Sequence, residues 1–271
     1  MIKDVLYFGE LGFFMHILGA IEYYLLNHPD TDLSICTYKT FYDILKILFG
    51  SRIHLWDIVP LHSDRGFHNC KYYDENIKDI VTYKERIKNS CNLIDLLKLD
   101  SYIRKKNLTH VFKKNYNVWI RLTKPITYKT KLLETKYKNK EIILFFFRNR
   151  TVEGFRNYPH EIKNYVDKTI TYFNEVNNKK YTPILWGVES HVSGDYVTIN
   201  DIKEFIYLCN ICFLFISCDS GLLDLGLHCN VKQYCIVQKK RNDRVNPCNI
   251  NLFNYKLFDS KIIDEDIFLK S

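Results

Sequence analysis

Ile211-Cys212-Phe213-Leu214-Phe215-Ile216-Ser217-Cys218-Asp219-Ser220-Gly221 is an apolar run that breaks abruptly into polar residues and a glycine. Glu141-Ile142-Ile143-Leu144-Phe145-Phe146-Phe147-Arg148-Asn149-Arg150 breaks the same way and continues to Arg156-Asn157-Tyr158-Pro159. Strands of a parallel sheet, covered by helices on both faces, read as such runs. The polar residues then form the loop at each strand's carboxyl end. In open α/β sheets ligands bind at that edge. One loop offers Arg148, Arg150 and Arg156; the other offers Asp219, Ser220 and Gly221. Cations, a hydroxyl and a carboxylate suit a phosphorylated ligand with a hydroxyl-rich part, such as a nucleotide sugar.

Outward from these runs the chain alternates strand and helix. Residues 4–8, 33–37 and 53–59 read as strands, with helices over 13–26 and 40–48 between them and a turn at Gly9-Glu10-Leu11-Gly12. This β-α-β-α-β order opens a doubly wound domain. Residues 61–82 carry no trusted period, 83–98 read as a helix, and 111–140 are basic and weakly patterned. A second block follows, with strands at 142–147, 182–186, 211–216 and 233–237 and helices from Pro159, from Asn200-Asp201 and from Ser220. The expected division is 1–135 for an acceptor-side domain and 136–245 for a donor-nucleotide domain. The linker falls between 125 and 140, and the tail 246–271 packs back on the first domain.

The chain has 271 residues, 46% of them hydrophobic, with only 10 Gly and 6 Pro, so it is long and apolar enough for a real core. Its formal charge is +8. Abundant Lys, Asn, Ile, Tyr and Phe look like A·T-rich coding, which discounts that charge; with the dense cysteines the mix resembles proteins of large DNA viruses. The lysines are scattered, which speaks against nucleic acid as a partner. Nine cysteines without small-domain spacing do not form a disulfide framework. Cys209-Asn210-Ile211-Cys212 has metal-like spacing but lacks a second pair, so no metal is expected. Met1-Ile2-Lys3-Asp4 does not open a signal peptide, and no apolar run reaches roughly 18 residues. The expectation is a soluble protein of the cytoplasm, a host's if viral, without a transmembrane segment.

Each loop has a chemical reading. Glu10 is the one acid in the first turn, and a positioned carboxylate there can deprotonate an acceptor hydroxyl. His16 lies one helical turn beyond Gly12 and can face the same cleft, although a histidine in the core or on the surface is as ordinary. Gly12 lets the backbone approach a bound group. The arginines match phosphate oxygens through a rigid fork of donors. After Trp186, Gly187 allows close approach and Glu189 can accept two ribose hydroxyls. Ser220 and Gly221 present a hydroxyl and amides at a helix start. Asp219 holds a sugar hydroxyl or caps that helix, and Asp224, one turn further along it, can also point at the donor.

At these loops the chain resembles the ADP-heptose–lipopolysaccharide heptosyltransferases, glycosyltransferase family 9, and their relatives. Gly9-Glu10-Leu11-Gly12 resembles that family's first glycine turn. Arg156-Asn157-Tyr158-Pro159 resembles its basic residue before an aromatic-proline pair, Gly187 and Glu189 its next strand end, and Asp219-Ser220-Gly221 its donor-side helix start. The resemblance covers 4–48 weakly and 141–237 better. Phe13 stands where the family often has aspartate, and Asp224 where it has histidine. The resemblance implies an α/β fold of the GT-B class, two facing Rossmann-like domains with parallel sheets. It implies inverting, metal-independent transfer from a nucleotide diphosphate sugar to a glycan or other hydroxyl acceptor, with no cofactor. A catalytically inactive sugar- or nucleotide-binding relative stays open because of Phe13, and a nucleic-acid-binding protein because of the charge and the tyrosines.

Overall fold

The computed structural model describes residues 1–7, 11–59, 90–97, 122–147, 162–187, 196–218, 220–237 and 255–259. They fall into two units, Met1–Lys124 and Pro125–Ser271.

The first unit holds strands β1 (Ile2–Tyr7), β2 (Asp32–Tyr38), β3 (Ile53–Val59) and β4 (Cys91–Asn92), all parallel, in the order β3-β2-β1-β4. Its helices are α1 (Leu11–Asn27), α2 (Lys39–Phe49) and α3 (Leu93–Leu97). Helix α1 forms because Phe14, Met15, Ile17, Leu18 and Ile21 all go to 0% exposure against the sheet and its neighbours. Helix α2 buries Phe41, Ile44 and Leu45, the i, i+3, i+4 spacing of one face. The rings of Phe14 and Phe41 stack at 4.4 Å, with Tyr7 at 5.1 Å from Phe14. Arg52 donates to the carbonyls of Leu25 at 2.9 Å, His28 at 2.7 Å and Thr31, pinning the end of α1 and the turn that follows it.

Two expectations are corrected here. Helix α1 starts at Leu11, not Phe13, because Leu11 is itself buried; Gly12 therefore sits inside the first helical turn and not in the preceding loop. Within the helix read over 83–98, residues 83–89 and 98 lie outside the described residues; among the described ones Cys91–Asn92 is a strand paired with Val5 and Leu6, and 93–97 are helical. Pairing with β1 overrides the local helical period.

The second unit holds β5 (Glu141–Phe146), β6 (Tyr181–Trp186), β7 (Val197–Ile199), β8 (Leu214–Cys218), β9 (Gln233–Val237) and β10 (Tyr255–Asp259), all parallel, in the order β10-β9-β8-β5-β6-β7. Helices α4 (Lys131–Lys136), α5 (Ile162–Asn177), α6 (Ile202–Ile211) and α7 (Gly221–His228) accompany them. All of Ile142–Phe146 is buried, as a central parallel strand requires. Phe205 packs edge-on against Trp186 at 5.4 Å and Phe215 at 5.3 Å, joining α6 to the sheet. Three helix-to-strand turns each place an asparagine at positive φ: Asn139 (60°), Asn178 (47°) and Asn230 (59°). Asparagine visits this left-handed region more readily than most side chains.

The unit boundary lies at Lys124, so residues 125–135 belong to the second unit. They are held there by Ile126, whose amide donates to the His228 carbonyl at 2.8 Å, and by Tyr128, whose amide donates to Asn210 Oδ1 at 3.0 Å. The stretch read as a linker contains α4, capped by the Thr130 hydroxyl, which accepts from the Leu133 amide at 3.3 Å. Of the tail, residues 255–259 form β10, which extends the second sheet beside β9. Strand β8 starts at Leu214, three residues later than read, because Ile211 ends α6 and the Cys212 amide closes it on the Leu208 carbonyl at 2.8 Å.

Candidate functional site

The second sheet changes direction between β5 and β8. From β5 the chain moves through β6 to β7 on one side; from β8 it moves through β9 to β10 on the other. Such a reversal opens a crevice outside the carboxyl ends of the two central strands. Phe146 pairs with Ser217, so the arginine-bearing loop after β5 and the Asp219-Ser220-Gly221 loop after β8 leave from neighbouring strand ends. Arg148, Arg150, Arg156, Glu189 and Asp219 lie outside the described residues, as does Glu10 after β1. The first sheet reverses likewise between β1 and β4.

Ser220 is the N-cap of α7, in extended backbone (φ −165°, ψ 164°). The cap is Ser220 itself: its hydroxyl accepts from the Leu223 amide at 3.3 Å and lies 3.4 Å from the Ser217 hydroxyl. Both distances are long for their type. A helix leaves its first amides without intrahelical partners, and Gly221 and Leu222 supply them here beside the positive end of the helix dipole. The combination of one hydroxyl and adjacent amides is chemically fit for an anionic oxygen.

The remaining predicted residues are placed as follows. Gly187 follows β6, and its amide donates to the Ile199 carbonyl at 2.8 Å. A methyl group there would overlap the Asn200 side-chain oxygen and stand 3.3 Å from Thr198 Cβ. The turn after β7 thus comes close to the Gly187 backbone. Asp224 is buried, 7% exposed, in the first turn of α7, and it has an interaction partner. A carboxylate there suits the helix's amino end. Gly12 and His16 both lie on α1.

Two features escaped the sequence reading. Ser217, fully buried at the end of β8, meets the Ser220 hydroxyl; the i, i+3 serines across a strand end were the available signal. Gly226 sits mid-helix in α7, where glycine costs about 1 kcal/mol relative to alanine. It lies against Gln233, whose amide nitrogen donates to the Leu223 carbonyl at 3.1 Å and ties α7 to β9. The thiols of Cys209 and Cys212 are raised by burial first, Cys212 to about 12, with Cys229 adding to both. Protonated thiols are poor nucleophiles and poor ligands. Among the described residues no group of three His, Cys, Asp or Glu could hold a metal ion, and no helix is long and apolar enough to cross a membrane.

No protein-family model matches the chain, and no curated protein matches it. Solved structures do. The glycosyl transferase family 9 protein from Veillonella parvula aligns with TM-score 0.54 at 12% identity, over 95% of this chain and 85% of that one. The E. coli heptosyltransferase WaaC with ADP aligns with TM-score 0.54 at 10% identity, over 100% of both chains. E. coli ADP-heptose lps heptosyltransferase II gives TM-score 0.54 at 10% identity, over 95% and 90%. The fold is GT-B.

Proposed function

We propose that this GT-B protein is an inverting, metal-independent glycosyltransferase that moves a sugar from a nucleotide diphosphate sugar to a glycan or other hydroxyl acceptor. The observation that carries the reading is the meeting of the β5 and β8 ends at the reversal of the second sheet, with Ser220 and the amino end of α7 directly beyond β8. In this reading the diphosphate lies across those two ends. Arg148, Arg150 and Arg156 hold its oxygens, and Ser220 and the Gly221 amide take another. Their charge is in place before the leaving diphosphate develops its own, which is how fixed cations and amides lower such a barrier. Glu189 accepts the ribose hydroxyls, and Asp219 holds a sugar hydroxyl. Asp224 braces the helix from within. Glu10 takes the proton of the acceptor hydroxyl, and His16, one helical turn beyond Gly12 in sequence, joins it in that role.

Calorimetric titration of the protein with a panel of nucleoside diphosphates tests this. One of them should bind. Arg156→Ala should weaken that binding by on the order of 2–5 kcal/mol, and Lys239→Ala far less. Equal affinities in all three proteins would remove Arg156 from the site, and no binding by the unaltered protein would end the reading. Transfer that disappears in Glu10→Gln while nucleotide binding stays would assign the base.

A further inference from the structure

The opposite edge of the second sheet has its own character. Lys138 and Lys140 precede β5, Lys179 and Lys180 precede β6, and Lys232 precedes β9; all five are exposed. Sheet register makes them neighbours. Glu141 pairs with Tyr181, which sets Lys140 beside Lys180. The Phe213 amide donates to the Ile142 carbonyl and the Phe215 amide to the Lys232 carbonyl, each at 2.9 Å, which brings Lys232 to the same edge. The Lys232 ammonium stands 5.5 Å from the Phe213 ring, and that ring stands 4.9 Å from Tyr181. Against these lysines stand Glu141, paired with Lys179 at 2.7 Å, and Glu175. Helices α5, α6 and α7 also end here, but each carboxyl end carries only about half an elementary charge. The edge stays positive. Two aliphatic side chains stand out among the lysines, Val176 at 62% and Ile211 at 42% exposure.

We propose that this amino-terminal edge docks on the surface of an anionic lipid bilayer. Lysines attract acidic headgroups as point charges, and exposed aliphatic side chains among them enter the boundary between headgroups and acyl chains. A single-stranded polynucleotide would need exposed rings on which bases stack. Here Phe173 and Tyr181 are 7% and 4% exposed and pack with Phe213. The edge lies at the other end of the strands from Ser220, about 17–20 Å away for strands of this length, so docking leaves the β5 and β8 loops open.

Sedimentation of the whole protein with vesicles tests this, using phosphatidylcholine alone and phosphatidylcholine mixed with phosphatidylglycerol. The protein should pellet with the mixed vesicles only, and less so as salt rises. Lys140→Gln, Lys180→Gln and Lys232→Gln should each weaken partition about fivefold. Val176→Ser should weaken it while leaving the salt dependence unchanged. Lys163→Gln and Lys168→Gln, exposed lysines in the first and middle parts of α5 and away from this edge, should change nothing; unaltered thermal midpoints show that all the variants are folded. Three results would overturn the proposal: no preference for the anionic vesicles, an equal loss in the two control variants, or capture of single-stranded polynucleotide through these lysines without vesicle binding.

Discussion

The backbone of Gly226 lies directly against the side-chain amide oxygen of Gln233, so that a methyl group on Gly226 would overlap it. The same methyl would stand 3.0 Å from Phe215 Cδ1 and 3.2 Å from Val231 Cγ1. Gln233 is fully buried and already committed to the Leu223 carbonyl, so it has nowhere to go. Gly226→Ala should therefore cost about 1–3 kcal/mol despite alanine's better helix propensity. Urea unfolding would measure it, and a stabilised variant would show that α7 can slide on β9.

Ser220 serves the fold and, in the proposed reading, the ligand, and two substitutions separate the roles. Ser220→Ala should cost about 1 kcal/mol of stability through loss of the cap, whereas Ser220→Gly should cost only a few tenths. Both remove the hydroxyl, so both should weaken nucleoside diphosphate binding alike. Calorimetry beside thermal unfolding checks this. Binding that follows stability instead would make Ser220 a cap alone.

The three asparagine turns predict a common pattern. Asn139→Ala, Asn178→Ala and Asn230→Ala each force a Cβ residue with no local hydrogen bonding into positive φ, and should cost about 1 kcal/mol apiece. The corresponding glycine variants should be neutral or better. Thermal midpoints of the six proteins would show whether the turns behave independently.

Stability should fall on the alkaline side. Burial raises the thiols of Cys209 and Cys212 and the phenol of Tyr165 above their ordinary values, so the folded state keeps protons that the unfolded chain gives up. Unfolding then releases protons, and stability declines as pH rises past about 9 for the thiols and past about 10 for the phenol. Below those values the contribution is fully present. Denaturant midpoints measured from neutral to alkaline pH should show the decline, and Cys212→Ala and Tyr165→Phe should each flatten their part of it.

Much of the fold was legible because its central strands are chemically loud. Ile142–Phe146 and Leu214–Ile216 are buried on both faces, the pattern a parallel sheet covered by helices requires. Edges were less clear. Ile211 and Cys212 are as apolar as the strand that follows, so composition alone could not tell the last turn of α6 from the start of β8. Cys91–Asn92 is a strand by virtue of Val5 and Leu6, residues far away in sequence. Helix α4 hid within a basic stretch because one threonine cap and contacts to His228 and Asn210 hold its neighbourhood, not an apolar stripe of its own. At the site, the reading of Ser220 as a helix-start residue met its place in the structure. Gly187 follows β6, with the Asn200 side chain close to its backbone.

The pairing of β5 with β8 also has a consequence in time. During synthesis Ile143 leaves the ribosome roughly seventy residues before its partner Leu214, an interval of about 4–14 s at ordinary elongation rates. Until then one side of a phenylalanine-rich strand has its hydrogen-bonding groups and apolar faces without their final neighbours. The nascent chain is thus most vulnerable to aggregation in the window between completing β6 and completing β8, and a ribosome that stalls there would display the stickiest segment of the protein to its surroundings.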